Sequence, residues 1–356
     1  MGRDRHGNTG ADRADDSVLR ALVLHLRIGA RAPLSLSADS WTALLGLAQS
    51  GKLLGPLGDS LDDADVPGDV RQALDAHRQQ ATQQNQLNFA YTLQALQRLE
   101  SVGIDAVVFK GPVRAREVYG RWGVRTSSDI DLLVRRGAYG QALEALSEYE
   151  ILVDPDSHWW RHWLGEMPLR RKDGAGPIVD LHHKLQQPGG PEPRDLEAFF
   201  ASSVVQDHGG ARYRTLAPWA SVLVSAIGYG KAVRHNEVWL HHAHELAVIQ
   251  RGLGTAERAA LERHAREQGL SRLLSEAMAA AHRLFGGTGP VDADVLALAR
   301  DAFGGRAHRR FYRTRRLWGW LDGSSPRRGL ALVDNSLGFA RSEVHRLREQ
   351  RRARQR

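Results

Sequence analysis

Leu19, Leu22, Val23 and Leu26 recur at intervals of three and four, the spacing of one buried helix face. Trp41, Leu44, Leu45 and Ala48 repeat the pattern, with Ser40 placed to cap the helix that holds them. The stretch LLGPLGDSLDDADVPGD, rich in Gly, Pro and Asp, reads as a break. A long helix is expected next, from about Val70 to Val102, with Phe89, Leu93, Leu96 and Leu99 on one face. The period then shortens. IDAVVFKG reads as a buried strand ending at Gly111, and Pro112 suits the first turn of the helix PVRAREVYG. SDIDLLV begins with polar–apolar alternation and continues apolar, as a strand does. AYGQALEALSEY has helical spacing, and EMPLRRKDGAGPIVDLHHKL reads as two strands around a DGAG turn. From about Asp195 onward helical spacing returns.

These elements predict an α/β (α+β) protein, a small mixed-sheet core flanked by helical regions. The expected division is a disordered N-terminus over 1–16, a helical region over 17–102, the core over 103–190, a second helical region over 191–340 and a basic tail over 341–356. Composition narrows the classes. The 356 residues are 42% hydrophobic and 25% charged, which is ordinary for folded domains. There are no cysteines, so disulfides, thiol catalysis and Cys-based zinc sites are excluded. No apolar run approaches the ~18–20 residues that span a bilayer, and the polar start MGRDRHGNTGADRADDS is no secretory signal, so a cytoplasmic, soluble protein is expected. The formal net charge of +8 suits a polyanionic partner, either a nucleoside triphosphate or nucleic acid. Much of that charge lies in 305–317 and in the last residues, RSEVHRLREQRRARQR, which read equally as a solvated helix end or as a nucleic-acid contact.

The candidate chemistry sits in the core. Asp129 and Asp131, two apart on a strand, point to one side, and a cation relieves the repulsion between them. Oxygen ligands of this kind favour Mg²⁺ or Mn²⁺. Lys110-Gly111 closes a strand before a helix, where a glycine lets backbone N–H groups approach an anion and lysine adds a full charge. On the strand PIVDLHHKL, Val179 and Leu181 face the core while Asp180 and His182 share the other side. If that strand lies beside the one carrying Asp129, a third carboxylate joins the pair. Each feature alone has a plain structural reading, as a solvated strand end or an ordinary turn. His158, His162, His241, His242 and His244 show no HExxH spacing and read as packing or surface residues, as does the Trp159, Trp160, Trp163 cluster.

Taken together, FKGPVRAREVYGRWGVRTSSDIDLLV and VDLHHKL resemble the DNA polymerase β-like nucleotidyltransferase superfamily, and within it the family of uncharacterised nucleotidyltransferases. Tyr119, Arg125 and the helices around Trp41 and QQNQLNFAYTLQAL extend the resemblance, which spans roughly residues 35–250. It implies an enzyme that moves an NMP from an NTP such as ATP to an acceptor with release of pyrophosphate, using Mg²⁺ or Mn²⁺. Asp129 and Asp131 match the metal pair. Asp180 matches the third carboxylate, as a base for the acceptor or a second metal ligand. Lys110, Gly111, Arg125 and Ser128 fall at the nucleotide, Arg125 either touching phosphate or bracing its loop, and His182 supports Asp180. The acceptor is open among a peptide natural product, another small molecule, a tRNA and a protein. Two rival readings are a toxin-like transferase acting on tRNA or protein, and a non-catalytic nucleotide-binding scaffold. Gly111-Pro112 departs from the usual Gly-Ser or Gly-Gly turn, because proline offers no N–H. His244-Glu245 stands where related chains often carry an Asp, and receives no role.

Overall fold

The computed structural model describes residues 15–27, 35–61, 66–154, 157–304, 319–322 and 325–355. The expected disorder of 1–16 lies outside these residues except for Asp15 and Asp16, and the basic stretch 305–317 lies wholly outside them.

Three helices open the described chain: α1 (Asp16–Leu26), α2 (Ala38–Ser50) and α3 (Leu54–Ser60). Ser37, not Ser40, caps α2, accepting from the Ser40 N–H at 3.3 Å. Helix α3 forms inside the stretch read as a break. Pro56 is tolerated in its first turn, and Leu57 is fully buried, so tertiary packing outweighs the Gly and Pro content. The long helix α4 (Gly68–Ser101) has 34 residues and so runs roughly 50 Å at 1.5 Å per residue.

The core follows as β1 (Ala106–Val108), α5 (Pro112–Tyr119), β2 (Asp129–Val134), α6 (Tyr139–Ala145), β3 (Tyr149–Ile151), β4 (Glu166–Arg171) and β5 (Ile178–His182). A π-helical turn, Trp159–Leu164, precedes β4. After α7 (Glu197–Ala201) come two strands absent from the sequence reading, β6 (Val204–His208) and β7 (Ala211–Thr215). Their turn is Gly209-Gly210, both at positive φ, the conformation a tight hairpin needs. Helices α8 (Pro218–His235), α9 (Leu240–Gly252), α10 (Thr255–Glu267), α11 (Ser271–Ala281), α12 (Ala293–Ala302) and α13 (Ser325–Gln355) complete the chain. Residues 341–355, expected as a tail, continue α13. No helix among the described residues is long and apolar enough to cross a membrane.

The seven strands form one mixed sheet in the order β3-β4-β5-β2-β1-β7-β6. Strand alternation makes it a partition between two cores. Ile130, Leu132 and Val134 of β2 pack toward α4 and α6 in one cluster. Leu133, with Val107 and Phe109 from the β1 segment, packs toward α8, α9 and the N-terminal helices in the other. Asp129 and Asp131 have the parity of Leu133, so they open onto the α8 side, where polar side chains interrupt the apolar packing.

Candidate active site

Parallel pairing of β2 with β5 sets Asp131 directly opposite Asp180 and Leu133 opposite His182. Antiparallel pairing of β4 with β5 then sets Glu166 opposite His182. Four polar side chains therefore share one sheet face because their strand parities agree. The His182 imidazole lies between two carboxylates: Nε2 is 3.3 Å from Asp131 Oδ1, and Nδ1 is 3.7 Å from Glu166 Oε2. Phe109 meets the same ring edge-on, with centroids 5.0 Å apart. The supporting contact of His182 thus falls on Asp131 and Glu166. Glu166 had no role in the sequence reading, although counting the hairpin back from its turn puts it opposite His182.

Lys110 brings its Nζ to 3.9 Å from Asp131 Oδ1. Gly111 has φ 69°, and a Cβ there would come 2.9 Å from the Asp129 carbonyl oxygen. Only glycine lets the turn lie this close over β2. Pro112 then starts α5 without losing a hydrogen bond, since its nitrogen sits in the first turn.

Two asparagines of α4 hold the loop before β2. Asn85 Nδ2 donates to the Trp122 carbonyl at 2.7 Å and also to that of Arg125, while Asn85 Oδ1 accepts from the Ser127 N–H at 3.1 Å. Asn88 Nδ2 donates to the Ser127 carbonyl at 2.7 Å. Both amides are fully buried. Ser127 is buried in this staple, whereas Ser128 is exposed beside Asp129. The Arg125 side chain reaches α9, where its Nη1 is 3.1 Å from Glu245 Oε1. Glu245 also faces Arg114 Nε at 3.5 Å, and Arg114 is held further by Ser221 and Ser225 of α8. Arg125 is thereby braced through both its backbone and its guanidinium, with part of the side chain exposed.

The charges are unevenly matched. Burial pushes Asp131 up, but Lys110 and His182 outweigh it and hold the carboxyl at about 2. Burial raises Asp129, with the Asp131 charge adding to it and Lys110 and Arg125 opposing. Asp180 is pushed up to about 7 by burial and by the Asp131, Glu166 and Asp129 charges, against His182. Asp131, Asp180 and His182 each offer an atom within 4.8 Å of the others, the one such group among the described residues. His182 Nε2 is buried there without an aligned hydrogen bond. A buried and a half-buried carboxylate that repel, with an imidazole nitrogen beside them, fit a divalent cation. Asp129 shares the strand face but its oxygens fall outside that group.

The model of the family described as uncharacterised nucleotidyltransferases matches residues 37–286, more than half of the chain. Among solved structures, an antigenic nucleotidyltransferase-like protein from Paracoccidioides brasiliensis is similar at 16% identity and TM-score 0.35, over 61% of this chain and 92% of that one. The antibiotic-resistance factor ANT(2'')-Ia is similar at 16% identity and TM-score 0.33, over 52% and 92%. No curated protein matches.

Proposed function

The chain belongs to the family of uncharacterised nucleotidyltransferases, and we propose that it moves an NMP from an NTP to an acceptor hydroxyl, releasing pyrophosphate. What carries the reading is the pairing of Asp131 with Asp180 across β2 and β5, with Lys110 3.9 Å from Asp131. Lys110 and Arg125 bind the phosphates, whose developing charge they offset. The buried clamp of Glu245 keeps Arg125 in place for this. Ser128, exposed at the mouth, lies within the same approach. Asp180 receives the proton of the attacking hydroxyl as the new oxygen–phosphorus bond forms and the bond to pyrophosphate breaks. A Mg²⁺ or Mn²⁺ ion held by Asp131 and Asp180, with Asp129 alongside, would supply further neutralisation of phosphate charge. His182, in contact with Asp131 and Glu166, orients Asp131.

Thermal shift and calorimetry with each NTP, in Mg²⁺ and in Mn²⁺, test the reading. A ligand at about 100 times its dissociation constant stabilises the fold by about 2.7 kcal/mol. Wild type should show that gain only with metal, and Asp131→Asn and Asp129→Asn should lose it while staying folded. Failure of folded wild type to bind any NTP would overturn the proposal.

A further inference from the structure

A cavity of about 250 Å³ opens between the π-helical turn before β4, the loop after β5, the end of α8 and α13. Phe339, Ser342, Glu343 and Arg346 come from one face of α13, at the 3–4 residue spacing of a helix. The body of the cavity is apolar, made by Trp159, Leu164, Pro188 and Phe339. Its ionised lining groups are Arg234, Arg346 and Glu343, one positive charge in excess, and the Arg234 guanidinium lies 6.0 Å from the centre of the Phe339 ring. The indole Nε1 of Trp159 is buried with no hydrogen-bond partner among the described residues.

The position of the cavity relative to the carboxylates gives it meaning. Across the sheet the order is β4, β5, β2, β1, so Lys110-Gly111 flanks Asp131 on the β1 side while Asp180 and Glu166 lie on the other. The cavity lies toward that other side, joined to it through hydrogen-bonded side chains. Gln187, in its wall, donates to Glu166 Oε1 at 3.3 Å, and Glu166 touches His182, which touches Asp131. On α8, Lys231 adds its charge to the field at Asp131, and one turn later Arg234 lines the cavity. The nucleotide turn and the cavity thus lie on opposite sides of Asp131 along the sheet, as leaving and attacking groups lie on opposite sides of the phosphorus in an in-line transfer.

We propose that this cavity is the acceptor site, and that the acceptor is a small amphipathic anion carrying a hydroxyl. The inference rests on the nucleotidyl-transfer reading above. An aromatic or aliphatic body fills the space between Trp159 and Phe339, the anionic group lies toward Arg234, and the hydroxyl reaches Asp180. That hydroxyl gives its proton to Asp180, its oxygen bonds the α-phosphorus, and pyrophosphate leaves. The excess positive charge disfavours a polycationic acceptor, and the volume disfavours entry of anything larger than a single terminal group.

Calorimetry on the full chain with Mg²⁺ and a non-hydrolysable NTP decides the matter, using 3-phenyllactate and phenylalaninol as probes. They share an aromatic ring and a hydroxyl but carry opposite charges. Wild type should bind phenyllactate about tenfold or more tightly than phenylalaninol, because a charged hydrogen bond is gained by one and denied to the other. Arg234→Gln should erase that preference, and Phe339→Ala, on a different helix, should weaken phenyllactate by about tenfold. Equal or reversed preference in wild type, or binding unchanged in both folded variants, overturns the proposal. Absence of phenyllactate binding in protein that binds the NTP overturns the acceptor inference alone. Absence of NTP binding overturns the reading beneath it.

Discussion

Glu245 is 2% exposed, and its charge is tolerable only because Arg114 and Arg125 face it. Burial would raise its carboxyl, yet Arg125 and Arg114 reverse that and hold it below the usual range. Removing one partner of a buried ion pair costs about 3–5 kcal/mol, since the opposing charge stays behind unpaired. Glu245→Ala should show a loss at the lower end of that range in urea unfolding, since Arg114 keeps its ion pair with Glu117 at 3.4 Å. Arg125 differs from Arg114 in being partly exposed and in reaching from the loop before β2. Arg125→Ala should therefore cost less stability than Glu245→Ala but weaken metal-dependent NTP binding. If Arg125 only braces its loop, the variant will lose stability and keep its NTP affinity. The two readings left open by the sequence separate on that comparison. The position of Glu245 stands out in the sequence but its role does not, because its partners lie 131 and 120 positions upstream and meet it only through packing of α5 and the β2 loop against α9.

Helix α9 concentrates buried histidines, and this gives the element its own pH dependence. His244 stacks on Tyr119, with Nδ1 3.1 Å from the phenol oxygen, and burial lowers its pKa from 6.5 to about 4. As pH falls below 6.5 the unfolded chain takes up a proton that the folded helix refuses until about 4. Stability from this residue is therefore full above pH 6.5 and lost on the way down to about 4, roughly 3 kcal/mol in all. Urea unfolding of wild type and His244→Gln at pH 7 and pH 5 isolates the effect, and the variant should lose less stability on acidification. An equal loss in both would contradict the assignment. The same scale shows what was legible in the chain. Strands β2 and β5 declare themselves because alternating Asp and Leu or Ile mark one buried face and one polar face. Hairpin β6–β7 carries a signal in Gly209-Gly210, but its flanks expose Val205, Gln206, Asp207, Arg212 and Arg214 and so lack an apolar alternation. Asn85 and Asn88 read as polar positions on a helix. Their burial depends on a loop some forty residues away, and no local pattern encodes that.

At the scale of the whole molecule, the division of the chain at residue 190 meets a sheet that ignores it. Strand β7 pairs with β1 in parallel, and the Thr215 hydroxyl donates to the Val108 carbonyl at 3.0 Å. One face of the sheet, through Val107, Phe109 and Leu133, belongs to the same apolar cluster as α8, α9 and α1. Residues 103–190 by themselves would expose that face and leave β1 as an unpaired edge, which favours aggregation over folding. We propose that core and helical regions fold as one cooperative unit, with the catalytic carboxylates on its internal boundary. The fragment 103–190 should then show no near-UV circular dichroism and no cooperative urea transition, whereas the full chain unfolds in a single step. Leu223→Ala, at a fully buried position of α8, should cost about 2–5 kcal/mol and lower the midpoint reported by any probe in the sheet by the same amount. A fragment that folds cooperatively alone, or a sheet whose midpoint ignores the change in α8, would establish two domains instead. In the cooperative molecule the buried Arg114 cannot part from Glu245 without breaching the shared core, so the side of the site proposed to bind phosphate is coupled to the stability of the fold.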